Sequence, residues 1–180
     1  MSKWDYLDFR ISDALVEETK FDLLAMGRPE GPGCYCAANN ILRQSVDRLS
    51  DAYAYVVIDN EAGLEHLSRR TTHDVDLLLL VSDPSLRGII AAGRVAELVD
   101  ELKTSVGATY LIVNRVLGDR LPEPLMQGIE KQNLKLAGLI PADPAVGELD
   151  ALGEPIIKLP VDAPARWALE SILASLADGL

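Results

Sequence analysis

Two apolar runs organise this chain. Val56, Val57 and Ile58 are β-branched in succession and lead into Asp59, and Leu77 to Val81 is apolar at every position. Neither run alternates as a half-solvated strand would, so both read as buried parallel strands with helices on both faces. Downstream, Ser82-Asp83-Pro84-Ser85 is a turn, and Ser85 is suited to cap a helix running from Leu86 to about Lys103. Its apolar positions Ile89, Ile90, Val95, Leu98, Val99 and Leu102 recur at helical spacing. Residues 108–113 then predict a strand, 125–132 a helix, 134–140 a strand, 155–159 an edge strand and 166–176 a closing amphipathic helix. Upstream, residues 1–20 are polar and mixed and read as a loose leading segment. Residues 21–27 read as a short buried strand, and the breaker cluster 28–33 as a loop. A helix is expected from Ala38 through Ile41, Leu42, Val46 and Leu49, and a loop with a short helix over 63–72. Alternating strand and helix predict an α/β fold: a three-layer sandwich with a mostly parallel sheet and right-handed crossovers, forming one domain over residues 21–180.

The strands share one habit, which is to end in polar residues. Asp59 follows the first run, Asn114-Arg115 the strand at 108–113, and Pro141-Ala142-Asp143 the strand at 134–140. In open α/β sheets ligands bind outside the carboxyl ends of the strands, and a carboxylate there is a candidate holder of magnesium beside a nucleotide phosphate. A helix-capping or turn carboxylate is the plain structural alternative.

Composition narrows the function classes. With 48% hydrophobic residues among 180, the chain can bury a substantial core. Its 17 Lys and Arg against 28 Asp and Glu give a formal charge of -11, and no basic cluster offers a track for a phosphate backbone, which argues against a nucleic-acid partner. No apolar run approaches the roughly 18 residues that span a bilayer, so no membrane partner is expected and a cytoplasmic location is.

Two cysteines, Cys34 and Cys36, flank Tyr35 just before a predicted helix N-terminus, where the dipole favours thiolate. They stand too close for an ordinary disulfide and read as a reduced pair or as metal ligands. Two thiolates do not complete a metal's coordination shell, but a two-fold axis beside them would supply four sulfurs to one soft or borderline ion. His66 and His73, flanked by polar residues, read as solvated, Arg69 and Arg70 as salt-bridging surface groups, and Trp4 and Trp167 as packing residues.

Taken together, Cys34-Tyr35-Cys36, the segment from Val56 to Arg69, Asn114-Arg115 and Pro141-Ala142-Asp143 resemble one family, in the right order from about Phe21 to near the C-terminus. It is the carbon monoxide dehydrogenase maturation ATPases of the CooC type, nickel-insertion proteins of the MinD/ParA group of deviant P-loop proteins. The resemblance implies a P-loop NTPase-like fold of the SIMIBI/MinD type, and a homodimeric accessory factor serving carbon monoxide dehydrogenase or acetyl-CoA synthase. By the same resemblance, Cys34 and Cys36 would hold nickel or zinc. Asp59 would be the Walker B carboxylate at the magnesium of ATP, and Asn114, Pro141 and Asp143 would meet the adenine.

This sequence departs from that pattern in one respect. The family's GKGGVGKT loop has no counterpart here, since no Gly-Lys-Ser or Gly-Lys-Thr occurs, and Lys103-Thr104, the only Lys followed by Ser or Thr, lies in a predicted helix after Leu102. The chain thus reads as the C-terminal two-thirds of the family fold without its P-loop strand. The alternatives to a metallochaperone are an ATP hydrolase completed in trans by a separate P-loop polypeptide, or a non-catalytic regulatory or scaffolding remnant.

Overall fold

The computed structural model describes residues 3–25, 50–60, 74–102 and 105–177. They fall into two compact units, residues 1–73 and residues 74–180. Cys34, Cys36, His66, His73, Arg69, Arg70 and the helices expected at 38–49 and 63–72 lie outside the described residues, as does the side chain of Trp4.

In the first unit, helix α1 (Lys3–Ala14) runs into an antiparallel ribbon of two short strands, β1 (Leu15–Glu17) and β2 (Asp22–Leu24). The expected loose leading segment is therefore mostly helix. No Gly or Pro interrupts residues 1–20, so nothing in the sequence stops helical hydrogen bonding. The expected buried strand at 21–27 is only three residues long and lies on the surface, with Phe21 and Leu23 exposed. The Asp22 carboxylate anchors the ribbon: it accepts the Glu18 N–H at 3.2 Å and the Tyr53 hydroxyl proton.

Residues 55–60 correct the sequence reading more sharply. They form no regular structure, and Val57 is 92% exposed, so Asp59 does not close a buried strand. A strand exists only when its amides find a partner, and the ladder described in this unit pairs β1 with β2 alone.

The second unit follows the predicted pattern. Three parallel strands, β3 (Asp74–Ser82), β4 (Ser105–Val116) and β5 (Leu136–Pro141), stand in the order β3-β4-β5. Helix α2 (Leu86–Glu101) connects β3 to β4, and α3 (Glu123–Lys131) connects β4 to β5. Ser85 caps α2 as expected, its Oγ accepting the Gly88 N–H at 3.0 Å. After β5 come α4 (Pro144–Leu152), a 3-10 turn (Ile156–Lys158) and α5 (Pro164–Ala177). That turn replaces the expected edge strand. The Lys158 and Leu159 amides bond back to Pro155 and Ile156, so they are not offered to a ladder.

Side-chain alternation divides the sheet's two faces. Leu80, Leu111 and Val113 pack in one buried cluster with Ile89 and Ala92 of α2 and Ile129 of α3. Ile112 points the other way and pairs in register with Gly138, over which Ile172 of α5 lies so closely that a Cβ on Gly138 would meet its Cγ1 at 2.5 Å. Helices α2 and α3 thus cover one face and α5 the other, the expected three layers. The far face of β3 is open, with Val81 63% exposed, and Trp167 points outward rather than packing.

Candidate functional site at the strand ends

The carboxyl ends of the three strands lie side by side, because Ser82 of β3 pairs with Val113 of β4 and Val116 of β4 pairs with Pro141 of β5. Asn114, Arg115 and the Pro141–Asp143 segment are thereby brought to one edge. Beyond the ladder, the Ala142 N–H still donates to the Val116 carbonyl at 2.9 Å, which holds the two ends together.

At this edge β4 carries a bulge. From Val113 to Val116 the strand takes three steps, while its partner takes two from Leu139 to Pro141. The extra residue resets the alternation, so Val116 returns to the core face with Leu111 and Val113. Arg115 absorbs the change with φ 60, in the left-handed region. The Asn114 Oδ1 accepts the Arg115 N–H at 2.8 Å, which satisfies the amide that the bulge removes from the ladder. That leaves the Asn114 Nδ2 as a hydrogen-bond donor with no partner among the described residues, half-buried at the strand end.

Pro141 and Asp143 differ in role. Pro141 is half-buried, closes β5 and presents an apolar ring without an N–H. Asp143 spends both carboxylate oxygens on helix starts. Oδ1 accepts the Ala145 N–H of α4 at 3.0 Å, and Oδ2 accepts the Ala165 N–H of α5 at 3.1 Å. In both helices that amide is the second after the cap, the usual target of an N-cap oxygen. The residue before Pro164 is Ala163, which has no acceptor of its own, so Asp143 caps α5 from 22 residues away. The side chain expected at the base thus also has a structural task. A signal for half of this was in the sequence, since Asp143-Pro144 has the form of an N-cap followed by a first-turn proline.

At the end of β3, Ser82 is buried and donates to the Asp83 carbonyl at 2.9 Å, while the Asp83 Oδ1 accepts the Ser85 hydroxyl at 2.6 Å. Asp59 belongs to the first unit, where it is exposed and makes no hydrogen bond or ion pair among the described residues. No group of three or more potential metal-ligating side chains occurs among the described residues, and none of their helices is long and apolar enough to cross a membrane. Sequence reading missed the unusual backbone of Arg115. Its signal was the pair of consecutive polar residues, Asn114-Arg115, between the apolar Val113 and Val116, which breaks a period of two.

No protein-family model matches the chain. An uncharacterized ATP-binding protein of Methanocaldococcus jannaschii is 45% identical over 173 residues, covering 96% of this chain and 68% of that protein. The carbon monoxide dehydrogenase accessory protein CooC of Rhodospirillum rubrum is 31% identical over 144 residues, covering 77% and 52%. The chain thus spans between about half and about two-thirds of the length of these relatives. Among solved structures, the MinD cell division protein of Aquifex aeolicus superposes with a TM-score of 0.72 at 22% identity, over 99% of this chain and 75% of that one. The septum site-determining protein MinD of Pyrococcus horikoshii, complexed with Mg-ADP, does so with a TM-score of 0.67 at 18% identity, over 98% and 73%. Likeness at such identities establishes the fold, a MinD-like P-loop NTPase fold in which the parallel sheet and its helices take their expected places. The 45% identity over 68% of the first relative makes this chain a member of that protein's family of ATP-binding proteins, with the fold of MinD.

Proposed function

We propose that this chain carries the base-side half of an ATP site, at the joined ends of β4 and β5, within an accessory ATPase of the MinD/ParA type. The observation that carries the reading is an Asn114 Nδ2 without a partner among the described residues, near the end of β4, with the Pro141 ring at the end of the adjacent β5. An amide donor and an apolar wall suit a purine, whose ring nitrogens accept hydrogen bonds and whose faces are apolar. Asn114 orients the base through Nδ2 while its Oδ1 stays on the Arg115 amide, and Asp143 holds the rim in place through the two helix starts. In the first unit, considered by itself, Asp59 is the carboxylate we assign to magnesium. Bound ATP supplies a transferable phosphoryl group. The residues present fit the base rather than the phosphates, because the 180 residues contain no Gly-Lys-Ser or Gly-Lys-Thr. A P-loop from outside these 180 residues would complete hydrolysis.

Isothermal titration of the chain with adenosine and with ATP plus magnesium tests this. Adenosine and ATP should bind weakly and alike, and Asn114→Ala should weaken both. Adenosine affinity unchanged in that variant overturns the base-side reading, and tight magnesium-dependent ATP binding overturns its restriction to the base.

A finer reading adds metal delivery. One supporting relative is a carbon monoxide dehydrogenase accessory protein, and Cys34-Tyr35-Cys36 would give a homodimer four thiolates for one nickel or zinc ion. The client would then be carbon monoxide dehydrogenase or acetyl-CoA synthase, and the metal its cargo. Equilibrium dialysis should find about one ion per two chains and none in Cys34→Ser/Cys36→Ser; undiminished binding in the double variant refutes it.

A further inference from the structure

Four described residues have φ in the left-handed region, and three are accounted for by their position or type. Gly118 and Gly153 have no Cβ, and Gly153 ends α4. Asn133 ends α3, its N–H bonding to Glu130 and the next amide to Ile129, and asparagine adopts this conformation more readily than most residues. Arg115 has neither excuse. It is a long, unbranched side chain inside a strand, held at φ 60 by a bulge, one position after an asparagine that would tolerate the same backbone more easily. Its guanidinium is exposed and makes no hydrogen bond or ion pair among the described residues, although the chain as a whole is acidic. A strained backbone that brings an uncommitted group to the ligand edge of a parallel sheet is a pattern of function.

We infer that Arg115 contacts the ligand, its planar guanidinium covering one face of the purine whose edge Asn114 reads. This rests on the base-side reading proposed above and names the second group that recognises the base. The adjacency is covalent: Asn114 and Arg115 form the bulge together, and the hydrogen bond that fixes the Asn114 side chain is made to the Arg115 amide. Stacking needs the flat, delocalised guanidinium, which lysine lacks.

The test is a set of single variants of the full chain, titrated with adenosine and followed by thermal unfolding. Arg115→Gly and Arg115→Asn should leave the melting temperature unchanged or raise it, because both residues accept the left-handed backbone. Both should nevertheless weaken adenosine binding about fivefold, the loss of a partly exposed cation–π contact. Arg115→Lys should weaken it about twofold, since an ammonium keeps part of the cation–π attraction but not the planar stacking. A side chain that served only to build the bulge would lose stability and affinity together, so this split identifies a ligand contact. Wild-type affinity in Arg115→Gly, or in Arg115→Lys, overturns the inference. When Asn114→Ala weakens adenosine binding and Arg115→Gly does not, only the role of Arg115 falls; when the wild-type chain binds no adenosine, both readings fall.

Discussion

Removing the Asp143 carboxylate should loosen two helices at once. In Asp143→Ala the Ala145 and Ala165 amides, at the starts of α4 and α5, each lose a charged acceptor at 3.0 and 3.1 Å. Loss of an N-cap side chain costs about 1 kcal/mol. The second bond, to a part-buried amide, adds about 1 to 1.5 kcal/mol after allowance for partial solvent access, so the expected loss is about 2 to 2.5 kcal/mol. Asp143→Ser separates the two contributions. Serine caps its own helix nearly as well as aspartate, but its shorter side chain offers one oxygen, so α4 keeps its cap and α5 loses one, for about half the cost. Asp143→Asn should fall beside serine, since its amide nitrogen would face the Ala165 N–H donor to donor. Urea unfolding followed by Trp167 emission in a Trp4→Phe background reads the helix concerned, because Trp167 is two residues beyond the capped amide. An alanine variant within about 0.5 kcal/mol of the parent, or a serine variant as unstable as alanine, would refute the double cap.

Gly138→Ala should destabilise the second unit by about 1 to 3 kcal/mol, because the new Cβ meets the buried Ile172 at 2.5 Å. In an Ile172→Ala background the same change should be almost neutral, and a thermodynamic cycle without coupling would contradict the close packing of β5 on α5. The Tyr53 phenol is held above its ordinary value of 10.0, first by its hydrogen bond to Asp22, then by partial desolvation and by the charges of Asp22 and Glu17. A group raised in this way stabilises the fold below its unfolded pKa and loses that contribution as pH rises through the folded value, so the first unit should loosen above pH 10. Absorbance titration at about 295 nm should show a late tyrosinate step that disappears in Tyr53→Phe; an unchanged titration would contradict the bond. Asp59→Asn should leave stability within about 0.5 kcal/mol, since its side chain is exposed and without partners among the described residues. A larger loss by chemical denaturation would reveal a structural role.

The crossover pattern of the second unit was legible because each element carries its own signal. Leu77–Val81 is an unbroken apolar run and Ser85 stands where a helix needs a cap, and both are local properties. What was not legible depended on partners. The run Val56-Val57-Ile58 has the composition of a buried strand, but composition cannot say whether another strand stands beside it. Ile156 and Ile157 have the same β-branched character, yet the bracketing Pro155 and Pro160 favour a tight turn that uses the local amides. Trp167 looked like core on hydrophobicity alone. At 100° per residue it lies opposite Ala165, which faces inward, so it is the helix register that turns it to solvent. At the site, the polar pair Asn114-Arg115 marked the right place, while the bulge that gives it meaning depends on the register with β5.

Three aspartates that follow apolar runs in the sequence show how such residues separate into roles. Asp59, Asp83 and Asp143 each follow an apolar run or its final serine, and the sequence offers Asp59 for magnesium, Asp143 for the base and Asp83 as part of a turn. Their hydrogen bonds rank them. Both oxygens of Asp143 accept helix amides, one each, which fixes the orientation of the carboxylate. Asp83 holds the Ser85 hydroxyl that itself caps α2, so its carboxylate is one step removed from the same task. Asp59 has no such commitment among the described residues, and its oxygens could be transferred to a cation without loss of a helix cap. A ligand-binding carboxylate must be free to change partners, a freedom that Asp59 has among the described residues, whereas Asp143 is engaged in fixing the starts of α4 and α5 beside the end of β5.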